Sequence, residues 1–243
     1  MNNLILTLKA HHSDVQIHKH SACQLVFTDD NPFSSTIENK RHENIFGFVI
    51  KPQVAHACEC TNSNLFVINI ETYSFLGNYI TKKLGEARSA VFYDNSTFKA
   101  FCNIGKNDFS YLDIFKINQD SLGDFMDKRI IQSIEYIHQN FSAENFSFID
   151  LATSVFLSPS RLTGLFKEQT GSSISKFLLW TRLRNAIWLI LLKKNKTITD
   201  IALESGFYDA SQMNKYMYQM FGIAPLKLRQ NSDLIQFLEP EYR

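Results

Sequence analysis

At 243 residues, with 44% hydrophobic and 20% charged, the chain has a folding composition and room for one large or two modest domains. Its net charge of +1 excludes a polyacidic or polybasic protein. The longest apolar run, Ala186–Leu192, falls far short of the roughly 20 residues of a membrane-spanning helix, so no membrane partner is expected.

The opening MNNLILTLKA has neither the basic stretch nor the small-residue cleavage site of a secretory leader, and a cytoplasmic location is the expectation. To about residue 72 the chain is β-rich. Alternating runs at Gln24–Thr28, Phe46–Ile50 and Leu65–Ile70 are divided by turn-prone stretches at 29–32 and 61–64. Strands at this spacing predict a small barrel or sandwich. Alternation along a strand puts His18 and His20 on one face, and His56, Cys58 and Cys60 on one face of another strand. With Cys23 nearby, imidazole and thiolate together would suit Zn²⁺ or copper. The paired CxxC spacing of a zinc site is missing, however. A pocket for an organic ligand, or a purely structural barrel, is therefore favoured over a metal at His18, His20 and His56, and no cofactor is expected. Nor is a disulfide framework: Cys58 and Cys60 would sit about 7 Å apart on an extended strand.

After Glu71 the period becomes helical. Phe75, Tyr79 and Ile80 share one side of a short helix, and 96–104 and 109–117 read as further helical segments. Asn118–Asp124, polar with one Gly, is the best linker. Asp127 then opens a helix in which Ile130, Ile131, Ile134 and Ile137 recur at helical spacing. Charge divides at this point: residues 1–126 hold 11 basic and 13 acidic residues, and residues 127–230 hold 13 and 8. The basic excess of the second part is mild and corroborates nucleic-acid binding without establishing it.

The most informative feature lies at 148–229, where one helix-turn-helix pattern is written twice. The copies run FIDLATSVFLSPSRLTGLFKEQTGSSISKF and ITDIALESGFYDASQMNKYMYQMFGIAPLKL. Ala152 aligns with Ala202 and Leu157 with Phe207; after one inserted residue, Leu162 aligns with Met213, Phe166 with Met217, Gly171 with Gly222 and Phe177 with Leu228. Small Ala at a helix crossing and a turn before a second short helix are how such a unit locks its two helices. Ser158 is a natural N-cap, with Pro159 at the first helical position. Ser173–Leu192 reads as a helix joining the copies. Its apolar residues exceed one stripe, since Trp180, Ile187, Trp188 and Leu191 cannot share one small core. A thick core helix is the favoured reading, and docking of Trp188 on the N-terminal part or on a partner is the other.

These residues carry a resemblance. Asp150-Leu151-Ala152, Leu157-Ser158-Pro159-Ser160, Leu165-Phe166-Lys167, Arg182-Leu183-x-x-Ala186-x-x-Leu189, Ile198-x-x-Ile201-Ala202-x-x-x-Gly206-Phe207 and Phe221-Gly222-x-x-Pro225 together make 127–229 similar to the DNA-binding domain of AraC/XylS-type transcription regulators. His18-x-His20-x-x-x-Gln24 and Pro52-x-x-x-His56 likewise resemble the two motifs of a cupin-type barrel, with Gln24 where Glu is usual. The implied fold class is α+β: a cupin-like β-barrel with following helices, then an all-α domain of two helix-turn-helix units joined by a long helix. The domains would be 1–120, for sensing or dimerisation, 127–230 for DNA, and a tail at 231–243 with an apolar cluster free to pack back.

What the resemblance implies for function is a sequence-specific regulator, responsive to a small-molecule effector and bound to double-stranded promoter DNA. Contact with RNA polymerase and a homodimer through the 74–117 region are further partners open to it. In the first unit Ser160, Arg161, Thr163 and Lys167 would meet DNA. Gly164 stands where a base-reading Arg is common, so that unit would grip backbone more than read sequence. In the second, Gln212 and Lys215 would read bases, with Ser211, Asn214 and Tyr218 beside them. His18, His20, Gln24 and His56 would line the sensor pocket or hold a metal. The rivals are a metal- or redox-responsive cupin or metalloenzyme tethered to DNA, and a DNA-repair methyl acceptor. Gln24 removes a usual acidic ligand from the first, and the spacing of Cys23, Cys58, Cys60 and Cys102 does not fit the second. No catalytic residue is expected.

Overall fold

The computed structural model describes residues 5–11, 13–102, 126–232 and 235–237. The N-terminal part is built from two antiparallel sheets. One contains β1 (Ile5–Ala10), β3 (Cys23–Phe27), β6 (Gly47–Ile50), β8 (Leu65–Ile70), β9 (Ser89–Phe92) and β10 (Ile235–Phe237), in the order β10-β1-β8-β3-β6-β9. The other contains β2 (Ser13–His18), β4 (Phe33–Ile37), β5 (Lys40–Ile45) and β7 (His56–Cys60), in the order β2-β7-β4-β5.

Side-chain alternation sorts the strands into layers. Val26, Phe48, Ile50 and Leu65 of the larger sheet meet Phe33, Ile37, Ile45 and Cys58 of the smaller one. On the reverse face of the larger sheet, Cys23, Leu25, Phe27 and Ile68 pack beneath α1 (Phe75–Leu84) and α2 (Asn95–Cys102) through Leu76, Ile80 and Phe98. Covered on both faces, β3 is buried at every position. The β-rich part therefore extends past residue 72, to β9, and the helices lie on its outer face. The expected helix at 109–117 and linker at 118–124 lie outside the described residues.

The C-terminal part is helical: α3 (Lys128–Asn140), α4 (Phe148–Ser154), α5 (Pro159–Thr170), α6 (Ile174–Leu192), α7 (Ile198–Glu204), α8 (Ala210–Phe221) and α9 (Pro225–Gln230). Asp127 caps α3, accepting from the Arg129 amide. Two cores form around α6. Ile130, Ile134, Ile137, Leu151, Ala152, Leu162, Phe166 and Phe177 make the first. Leu183, Ala186, Leu189, Ile201, Ala202, Met213, Met217 and Leu228 make the second. Ala152 and Ala202 are 1% and 0% exposed, as a close helix crossing requires.

The surplus apolar surface of α6 is taken up by the N-terminal part, but through Trp180 rather than Trp188. Trp180 is 1% exposed and donates its indole N–H to the Glu71 carboxylate, which follows β8 directly. Arg184, one turn on, pairs with the same carboxylate at 3.1 Å. Trp188 stays half-buried against the second core, with the Lys193 ammonium 5.8 Å from its ring centre. Leu6 and Ala22 join that core from the β side. The tail, too, returns to the sheets: β10 pairs antiparallel with β1 from Ala10↔Ile235 to Leu8↔Phe237.

Candidate nucleic-acid interface and histidine cluster

Each helix-turn-helix unit is fixed by local hydrogen bonds that the sequence spells out. Ser147 caps α4 and Ser158 caps α5, with Pro159 at the first turn of α5. Thr197 and Asp200 form a reciprocal capping box at α7, and Asp209 caps α8. Both second helices end on a left-handed glycine, Gly171 at φ 70° and Gly222 at φ 65°. The turns differ. Gly206 has φ 81°, and a Cβ there would lie 2.6 Å from the Phe141 carbonyl oxygen. The corresponding place in the first unit is Phe156, at φ 55° and 94% exposed.

Leu162, Leu165 and Phe166 of α5 and Met213 and Met217 of α8 are buried, which turns the other faces outward. Ser160, Arg161, Thr163 and Lys167 on α5 are exposed, and so are Ser211, Gln212, Asn214 and Lys215 on α8. Two of these side chains also have local bonds. The Thr163 hydroxyl donates to the Pro159 carbonyl at 2.8 Å, and the Gln212 amide oxygen accepts from the Tyr208 backbone N–H at 3.0 Å. Gln212 thereby holds the turn of its own unit, a part the sequence did not suggest, while its NH₂ group remains a donor. A Cβ added at Gly164 would meet nothing within 4 Å.

The histidines converge on the far side of α8. His18 ends β2, His20 lies two residues beyond it, and His56 begins β7 opposite His18. All three are buried. The His18 and His56 rings are 4.0 Å apart, and His20 lies 5.1 Å from His56. One ring nitrogen from each lies within 4.8 Å of those of the others, so the buried triad could hold a metal ion. No cysteine belongs to this grouping among the described residues. Cys23 points to the opposite face of its sheet, beside the Thr81 hydroxyl at 3.5 Å, because residues 23, 25 and 27 all face the helices. Burial pushes the Cys23 thiol up to about 11 and the Cys102 thiol to about 12, so neither is a reactive thiolate.

Burial holds the histidines neutral. Desolvation lowers His18 to about 4 and His20 to about 3, and lowers His56 well below its ordinary value. Each Nδ1 lies against a backbone carbonyl: Gln16 at 2.8 Å, Ala22 at 3.1 Å and Val54 at 3.0 Å. Since a carbonyl only accepts, each ring carries its proton on Nδ1. The Nε2 atoms of His20 and His56 are buried and have no hydrogen-bond partner among the described residues. His18, His56 and the buried Gln24 also line a cavity of about 290 Å³ between the sheets and the second core, with Val26, Ile187 and Phe221 among its apolar walls. Gln24 donates to the Asn69 side chain at 3.0 Å. At the edge of the cavity Lys227 of α9 pairs with Asp14 of β2 at 3.1 Å.

Comparison with known proteins places the arrangement. The helix-turn-helix domain family matches residues 151–231. The arabinose operon regulatory protein of Escherichia coli is 27% identical over 157 residues, 59% of this chain and 53% of that protein. The transcriptional activator RhrA of Rhizobium meliloti is 32% identical over 94 residues, 38% of this chain and 30% of its own length. The chain thus spans about half the length of the first of these relatives and less of the second. In structure, ToxT of Vibrio cholerae aligns over 96% of this chain and 99% of its own, with a TM-score of 0.56 at 15% identity, which is a likeness of fold. Among the described residues no helix is long and apolar enough to cross a membrane.

Proposed function

We propose that the chain is a sequence-specific regulator of transcription of the AraC type, with an N-terminal β domain, and not an enzyme; its helix-turn-helix match and its likeness to the arabinose operon regulatory protein support this. The observation that carries the reading is the pair of fully capped units, each turning an exposed polar face outward from a buried apolar one. The two faces enter successive major grooves of promoter DNA. Arg161 and Lys167 hold phosphates. Lys215 and the free NH₂ of Gln212 read base edges, each good base contact giving about 1–3 kcal/mol of discrimination. The cavity between the domains is the effector site. A largely apolar small molecule suits its walls, and the ToxT fold has been described with an unsaturated fatty acid bound.

Selection of DNA from a random pool, with Lys215→Ala, Gln212→Ala and Lys167→Ala beside the parent, tests this. A consensus is expected from the parent, relaxed in the first two variants. Lys167→Ala is expected to weaken all duplexes alike and to reduce the salt dependence. No enriched sequence from the parent, or equal losses on specific and random DNA in all three variants, overturns the assignment.

A further inference from the structure

We propose that His18, His20 and His56 form a binding site for one divalent transition-metal ion, and that its occupancy is transmitted through β2 to the second recognition helix, α8. The transmission half rests on the DNA-binding reading; the metal half does not.

Three features of the cluster suit a metal better than an inert core. First, the Nδ1–H to carbonyl bonds fix the tautomer that leaves Nε2 a lone pair, just as metal-ligating histidines donate their other ring N–H to a carbonyl or carboxylate. Second, a buried acceptor is costly to leave unpaired, yet both His20 and His56 do so among the described residues. Third, the rings already approach the required spacing. Nitrogens bound at about 2.1 Å in a tetrahedral site lie about 3.4 Å apart, and one ring nitrogen of each histidine already lies within 4.8 Å of those of the other two. Ring adjustments of about an ångström close the difference. Three neutral imidazoles favour the zinc, nickel, cobalt and copper end of the series over magnesium or calcium. The cavity bordering His18 and His56 leaves room for water or another donor at the fourth position. Gln24, on the same cavity, has an amide oxygen buried and unpartnered among the described residues.

The path to α8 is short. Between Val15 and His18 the register of β2 slips, and in that irregular stretch the Gln16 amide donates to the Gly222 carbonyl at 3.1 Å. The Lys19 amide reaches the Gln219 carbonyl at 3.4 Å. Both acceptors belong to the C-terminal end of α8. Gly222 itself sits so tightly that a Cβ would lie 2.2 Å from the Gln16 oxygen and 2.9 Å from His18 Nδ1. From His20 a second contact runs through Trp180, 5.5 Å away, which stacks on Phe221 at 5.0 Å. An ion that draws the three rings together therefore moves or stiffens the segment on which α8 ends. By linkage, DNA that selects one position of α8 also changes the affinity for metal.

The test uses the full chain, stripped with chelator and then titrated with Co²⁺ and Zn²⁺. Elemental analysis is expected to give one ion per chain. Co²⁺ should show the visible absorption of a low-coordinate nitrogen site, lost in His20→Gln and in His56→Gln but kept in the surface control His42→Gln. Transmission is read without DNA, as slowed amide exchange at Gln16, Lys19 and the last turn of α8 on metal loading. It is read with DNA as a change in affinity of at least fivefold that the two cluster variants lack. No ion in the wild-type chain overturns the site whatever the variants do, and so does metal that persists in both cluster variants. Metal binding with unaltered exchange at β2 and α8 overturns the transmission. A chain that binds metal with slowed exchange yet no DNA supports the site and its coupling, and refutes the DNA reading instead.

Discussion

The contact that joins the two halves, Glu71 with Trp180 and Arg184, gives a sharp energetic prediction. Each charged side chain of the pair is 6% exposed and the ions are 3.1 Å apart. Burial pushes the Glu71 carboxyl above the usual carboxylate range, an effect that Arg184 and Trp180 partly offset. The pair is therefore close to breaking even against apolar residues of similar size, whereas removing one partner leaves the other's charge buried. Glu71→Leu takes a charged acceptor from the guanidinium and the acceptor of the indole, and the expected loss is about 3–5 kcal/mol. For a chain of this size that is a fall in midpoint of about 6–20 °C. The double variant Glu71→Leu/Arg184→Met should recover at least half of it. Urea and thermal unfolding of parent, singles and double form a complete cycle. A single loss below about 1 kcal/mol, or strictly additive losses, would show that the two halves are not held by this contact.

Four further substitutions probe the helical half. Gly164, in the interior of α5 with open space around its missing Cβ, should accept Ala with a gain of about 1 kcal/mol in unfolding free energy; a loss would mean the face is covered. The two turns should answer oppositely to exchange. Phe156→Gly relieves a left-handed backbone and is expected to be neutral or mildly stabilising, whereas Gly206→Ala drives a Cβ into the Phe141 carbonyl and should lower the midpoint by several degrees. His138, which burial lowers to about 4, is neutral in the fold and protonates more readily when unfolded. Its contribution is complete above pH 6.5 and drains as pH falls toward 4, by about 2 kcal/mol at pH 5. Stability measured from pH 7 to 5 should therefore fall more steeply in the parent than in His138→Phe, and parallel slopes would refute the assignment.

Which features were legible in the sequence follows from how local their causes are. The helix-turn-helix units are specified by residues a few positions apart: Ser158 before Pro159, Thr197 three residues before Asp200, Gly222 after Phe221. Such signals survive without knowledge of the rest of the fold, so caps, helix faces and the buried Ala pair are readable. The β half is specified by partners far apart, and there only Leu65–Ile70 stands out at its true bounds. Strand β10 lies some 225 residues from the strand it pairs with, and its three residues carry no pattern of their own. Glu71 and Arg184 are 113 residues apart, and nothing near either announces the other. The histidines fall between these cases. Alternation brought His18 and His20 together for the wrong reason, since the strand stops at His18 and His20 is carried in by the bend that follows. Nearness in sequence also enlisted Cys23, which the two-sided burial of β3 turns toward the helices. What alternation could never supply is the carbonyl behind each Nδ1. Those three bonds, not the spacing of the histidines, turn a buried polar cluster into a set of convergent lone pairs, and they exist only once both sheets are in place.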